Sequence, residues 1–191
     1  QGLYNDPAER MIGDIDFLVS KNELDLAAKI LMNNNFRSIY DYNYDLPIFM
    51  HYPRLYSHDE IAAVEIHIEM IIEKYALEFN YNTIVNNTIK KNGFSLLSYD
   101  DQKALSIFSC QINDFGFDYK NINIKNIYDF LLLNSIKPGT DFASRFNKLK
   151  TPIICFIGQI DYLVGDNGLV FVHDKKVESE ENVINLFVKN L

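Results

Sequence analysis

The chain has 191 residues, of which 48% are apolar, and a formal net charge of −8 at pH 7. That length supports one good core or two small lobes, and no apolar run reaches the ~18–20 residues that would span a bilayer. The acidity argues against a module that grips nucleic acid through its phosphates, because that affinity comes from clustered Lys and Arg. A nucleotide is still admissible where a bound divalent cation supplies positive charge locally.

There is no basic-then-apolar leader, so the expectation is a cytoplasmic protein with no membrane segment. Cys110 and Cys155 lack CxxC or Cys/His spacing and are read as reduced thiols. Because the first residue is Gln rather than Met, the native N-terminus is expected to lie further upstream.

In chain order, Asp14 to Ser20 is a short apolar run after Gly13, the pattern of a buried strand. Asn22 to Leu31 reads as a helix with Leu24, Ala27, Ala28 and Leu31 on one face, Asn22 as N-cap and Asn33 to Asn35 as the stop. Strands are expected over Phe36 to Tyr42, over Ile48 to Tyr56 with a kink at Pro53, and over Ala62 to Met70, where alternation is clean. From about Asn80 the period becomes helical. Tyr99 to Phe115 carries Ala104, Leu105, Ile107, Phe108 and Ile112 on an apolar face, with Asp100 and Asp101 in the first turn. Ile122 to Leu133 repeats the pattern with Ile124, Ile127, Tyr128, Phe130 and Leu131, and Pro138-Gly139 ends it. Gly168 to His173 reads as a strand and Ser179 to Asn190 as a terminal helix capped by Ser179. The expected class is α+β: a mixed-sheet lobe over residues 1–75 with flanking helices, then a mainly helical lobe over 76–191.

Two rows of polar side chains could carry chemistry. Residues two apart on a strand share a face, their Cα atoms about 6.6–6.8 Å apart. Asp14 and Asp16 therefore project together, while Ile15 and Phe17 are expected to face a buried layer. Carboxylates at that separation repel by roughly 2–3 kcal/mol at an effective dielectric near 20, and a cation between them reverses the sign. Glu65, His67 and Glu69 form a second row, with Val64, Ile66 and Ile68 behind them. If the two strands are neighbours, Glu65 completes a nest of three carboxylates, hard oxygen donors suited to Mg²⁺ or Mn²⁺. Taken alone, the Glu65, His67 and Glu69 row reads as a solvated sheet face, and Asp14 with Asp16 reads as well as a strand-entry turn with solvated acids; it is the two rows together that point to chemistry.

Leu3 to Val19, with Tyr4, Pro7, Arg10 and then Gly13-Asp14-Ile15-Asp16, resembles the bacterial family of uncharacterised nucleotidyltransferases, in the superfamily that includes DNA polymerase beta. Val64-Glu65-Ile66-His67 resembles that family's later strand, His51-Tyr52-Pro53 a His-containing strand between the two blocks, and Tyr99 to Leu133, with Asp129, its helical accessory bundle. The resemblance implies Asp14, Asp16 and Glu65 as metal ligands and catalytic carboxylates. It implies Arg10, Gly13 and His67 as nucleotide-binding residues, with an NTP as co-substrate and Mg²⁺ or Mn²⁺ as cofactor. The acceptor, a small molecule or a protein, is not specified, and nucleic acid is disfavoured by the charge. Superfamily members also carry a Gly-Ser or Lys-Gly turn upstream of the D-x-D. Nothing precedes Gln1 in this sequence, and Gly2 is too close to Asp14 to serve. Without such a turn, an inactive, partner-binding or regulatory member of the fold is the rival reading. A His-dependent metal hydrolase is the third, and it lacks His-x₃-His spacing.

Overall fold

The computed structural model describes residues 3–10, 13–38, 50–139 and 141–164, and its packing divides the chain into two compact units, residues 1–82 and 83–191.

The first unit is built on a mixed sheet. β1 (Asp14–Leu18) runs parallel to β4 (Ala63–His67); β3 (Leu55–Tyr56) and β2 (Arg37–Ser38) follow antiparallel, in the order β1-β4-β3-β2. A 3₁₀ turn over Lys21–Glu23 leads into helix α1 (Leu24–Asn33). The cap is Ser20 rather than the expected Asn22. Ser20 has extended backbone, and its N–H and hydroxyl both donate to the Glu23 carboxylate, at 3.2 and 2.5 Å. The helix stops in the Asn33 to Asn35 cluster as expected: the Asn34 side chain donates to the Ile30 carbonyl, and Asn35 takes the left-handed conformation at φ 67°.

Helix α1 covers β4. Leu24 and Ala28 are buried with Tyr52, Leu55, Val64, Ile66 and Ile68, and Ala27 and Leu31 pack at the margin of this core. Burying each large aliphatic side chain contributes roughly 1.5–3 kcal/mol. The expectation that Ile15 and Phe17 are buried is corrected: they are 47% and 44% exposed. They share a face with Val64 and Ile66 by register, but among the described residues β1 is the outermost strand, and the core beneath α1 is centred on β4.

The strand expected over Ile48 to Tyr56 is resolved from Met50 onward as a His51↔His67 bridge, a break at Pro53-Arg54, and β3. Of the expected Phe36 to Tyr42 strand, β2 is described, and residues 39–49 lie outside the described residues. Short helix α2 (Tyr81–Val85) contains the division between units.

In the second unit, the helical period expected from about Asn80 gives way at first to a short sheet. β5 (Ile89–Lys91) and β6 (Phe94–Leu96) form a hairpin around Asn92-Gly93, both at positive φ, as a two-residue turn requires. Helix α3 (Tyr99–Phe108) is capped by Ser98, whose hydroxyl accepts from the Asp101 N–H, and it continues as a π-helix over Ser109–Asn113. Helix α4 (Gly116–Tyr119) is one turn; α5 (Ile124–Ile136) and α6 (Lys150–Val164) both pack on α3. Ile127, Phe130 and Leu133 line the buried face of α5, whereas Ile124 and Tyr128, expected on that face, are exposed at its outer side. Phe130 meets Phe156 at 5.5 Å and Phe108 meets Phe146 at 5.0 Å, both edge to face. Cys110 and Cys155 are buried free thiols, pushed up by burial to about 12 and about 11. The segments expected over Gly168 to His173 and Ser179 to Asn190 lie outside the described residues.

Candidate active site

Parallel pairing of β1 with β4 sets Asp16 beside Glu65 and Leu18 beside His67. Because side chains alternate along each strand, Asp14 and Asp16 on β1 and Glu65 and His67 on β4 occupy one sheet face, opposite the α1 core. The sequence makes this local choice itself: Val64 and Ile66 are drawn under α1, so Glu65 and His67 must turn the other way.

The polar groups form two linked sets. In the first, one oxygen each of Asp16 and Glu65 and a His67 ring nitrogen all lie within 4.8 Å of one another. His67 Nε2 is 3.3 Å from Asp16 Oδ1 and 3.5 Å from Glu65 Oε2. In the second, the Arg54 guanidinium spans two carboxylates: Nε donates to Glu65 Oε1 and Nη2 to Asp14 Oδ2, both at 2.7 Å. Glu65 joins the two sets by dividing its oxygens between them. His51 stands alongside, its ring 5.1 Å from that of His67.

The electrostatics follow from this placement. The hydrogen bond from His67 holds the Asp16 carboxyl below its ordinary range, against the opposing effect of burial. Burial pushes the His67 imidazole down, but its hydrogen bond to Asp16 and the negative charges of Asp16 and Glu65 outweigh that, and the net shift is upward. Glu69, third in its row, turns to accept from the Tyr81 N–H at 3.3 Å, and burial raises its carboxyl. It belongs to local structure rather than to the cluster.

Of the residues singled out in the sequence, Asp14, Asp16, Glu65 and His67 are brought together. Arg10 and Gly13 stand in the segment leading into β1; a Cβ on Gly13 would meet nothing within 4 Å, so no close backbone approach requires glycine there. Arg54 was missed. Three residues separate His51 from Leu55, but two separate Val64 from His67 on the facing strand. The extra residue at Pro53-Arg54 behaves as a β-bulge, which re-aims a side chain. It allows Tyr52 and Leu55 both to be buried and sets Arg54 on the carboxylate face. The sequence signal was a proline interrupting a strand directly before an arginine.

The profile of a family described as "uncharacterised nucleotidyltransferase" matches residues 1–153. The chain belongs to that family. Membership makes nucleotidyl transfer its activity class and a nucleotide its substrate, and the sheet with the D-x-D on its first described strand is consistent with a nucleotidyltransferase-like α+β fold. No curated protein and no solved structure gave a match. Among the described residues, no helix of this nucleotidyltransferase is long and apolar enough to cross a membrane.

Proposed function

We propose that this nucleotidyltransferase transfers a nucleoside monophosphate from an NTP to a hydroxyl acceptor, with Mg²⁺ or Mn²⁺ held by Asp14, Asp16, Glu65 and His67. The observation that carries the reading is the meeting of Asp16, Glu65 and His67 across two neighbouring strands, with Asp14 beside them. The donor set fits a divalent cation: carboxylate oxygens suit Mg²⁺ and Mn²⁺, and an imidazole nitrogen widens the range toward the transition metals. When bound, such a cation supplies Lewis-acid stabilisation of phosphate charge.

The chain's own residues supply the rest. The acceptor oxygen forms its bond to the α-phosphorus as the bond from that phosphorus to the α–β bridging oxygen breaks, and pyrophosphate leaves. Glu65 aligns the acceptor hydroxyl and takes its proton. Arg10 contacts phosphate oxygens, for which a guanidinium fork is suited, and Gly13 adjoins the nucleotide at the entry to β1. The test is titration of a non-hydrolysable NTP analogue with Mg²⁺ or Mn²⁺ into the protein and into its Asp16→Asn and Glu65→Gln variants. Since even indirect partners of a metal cost 10–100-fold in affinity, loss of a ligand is expected to weaken binding by about 100-fold. Equal binding by all three proteins removes the site.

A second reading, a fold member that acts through a partner protein, is favoured by one observation: Ile15 and Phe17 stand exposed on β1, the outermost strand among the described residues. Native mass spectrometry of the purified protein separates the two. Turnover of labelled NTP with no stoichiometric partner eliminates the second.

A further inference from the structure

Divalent-ion centres that align phosphate oxygens often use a pair of ions about 3.5–4 Å apart. In this chain one place among the carboxylates is already held by a positive group. Arg54 enters from the bulge before β3 and donates from separate nitrogens to Asp14 Oδ2 and Glu65 Oε1, each at 2.7 Å. These two oxygens are not those of the second set, in which Glu65 Oε2 and Asp16 Oδ1 both approach His67 Nε2, at 3.5 and 3.3 Å. Asp14 is not among the three residues whose donor atoms converge. The centre therefore divides into a guanidinium half, at Asp14, and an imidazole half, at Asp16 and His67, joined by Glu65.

We propose that Arg54 is a resident cation of this centre, so that the chain takes one divalent ion, at Asp16, Glu65 and His67, where a two-ion site would place a second on Asp14 and Glu65. This rests on the metal-dependent reading above and refines it. The charge balance supports it: three carboxylates near one another carry three negative charges, of which the guanidinium offsets one and a single divalent ion the other two. A second divalent ion would have to displace two charge-assisted hydrogen bonds, the strong kind, and would then share a small volume with a displaced guanidinium. The bulge gives the arrangement a structural cause: alternation continued from buried Tyr52 would point Arg54 into the core face, and the extra residue resets it so that Leu55 is buried and Arg54 meets the carboxylates.

The experiment is titration of the full chain with Mn²⁺ alone, followed by electron paramagnetic resonance, for the protein and its Arg54→Met, Arg54→Lys and Asp16→Asn variants. The Arg54 side chain is 54% exposed, so its replacements are expected to fold, which circular dichroism checks. The expected result is one Mn²⁺ per chain in the unaltered protein. Arg54→Met is expected to gain a second ion with the line broadening of a coupled pair, or to bind its single ion about tenfold tighter through loss of a nearby positive charge. Arg54→Lys, which keeps the charge, is expected to retain one ion. Two ions of similar affinity in the unaltered protein, or an Arg54→Met titration identical to it, overturns the proposal. So does a lysine variant that gains the second ion as methionine does. If Asp16→Asn binds Mn²⁺ as the unaltered chain does, or if the unaltered chain binds none, the metal-dependent reading itself fails, a result distinct from failure of the Arg54 assignment alone.

Discussion

Lys103 is 1% exposed, although an ammonium group strongly prefers water. Its Nζ donates to the carbonyls of Gly139 and Lys137 at 2.7 and 3.1 Å, lies 3.4 Å from Asp100 Oδ1, and rests 5.1 Å from the centre of the Phe142 ring. Helix α3 is thereby fastened to the C-terminal end of α5, where carbonyls lack helical partners. Lys103→Met keeps the stem but strips two carbonyls of their donor, and it is expected to cost about 2–4 kcal/mol in urea unfolding. A variant as stable as the parent would mean that water replaces the ammonium. Asp129 makes a pH-dependent case. Burial raises its carboxyl to about 6 from 3.8, so the folded chain holds that proton more tightly than the unfolded chain. Stability is then lost as pH rises from about 4 to about 6, and the penalty is complete above that window. After discounting for solvent screening, Asp129→Asn is expected to gain about 1 kcal/mol at pH 7 and almost nothing at pH 4. Unfolding at the two pH values checks this, and an equal effect at both would place the cause elsewhere. At this scale Asp16, Glu65 and His67 were legible, because period-two alternation alone sorts a strand's polar side chains from its apolar ones. Arg54 was not, because its direction depends on a one-residue slip that only pairing reveals.

The same distinction governs the elements. Helix α1 and strand β4 were readable because each buries one clean face, and the parallel neighbour β1 then follows from the register that brings their acids together. The burial of Ile15 and Phe17 was misjudged because an apolar strand carries no mark of whether it lies at the edge or in the middle of its sheet. The hairpin β5–β6 was missed inside a helical reading although Asn92-Gly93, a strong short-range turn signal, stands between its strands. Nor did apolar periodicity reveal that α3 passes into a π-helix, whose wider turn buries the polar Gln111 together with Cys110 and Ile112. That widened turn comes close to Gly116, where an added Cβ would lie 2.5 Å from the Cys110 carbonyl oxygen. The obstacle is backbone rather than a side chain that can move aside. Gly116→Ala is therefore expected to destabilise by about 1–3 kcal/mol as the two segments are forced apart. Unfolding followed by circular dichroism at 222 nm reads the loss, and an unchanged midpoint would show that the segments separate freely.

For the molecule as a whole, the net charge of −8 and a sequence pI near 4.9 set the terms on which a nucleotide can bind. A triphosphate carries negative charge toward a negative protein, so long-range forces oppose the encounter, and binding must be won at short range. On the proposed reading that short-range attraction comes from a divalent ion at Asp16, Glu65 and His67 with Arg54 beside it, a centre small enough that salt screens it weakly. Two consequences follow for a non-hydrolysable NTP analogue measured by calorimetry. With EDTA present, affinity is expected to fall by about tenfold or more, since Arg54 alone then offsets the carboxylates facing the phosphates. With the ion present, raising ionic strength from about 20 to about 200 mM is expected to leave affinity nearly unchanged, because screening also relieves the long-range repulsion. A protein that held phosphates on a broad lysine and arginine surface would behave in the opposite way, losing affinity steeply with salt and little with EDTA. That pattern would move the nucleotide away from the β1–β4 face and onto a surface whose local charge runs against the sign of the whole chain.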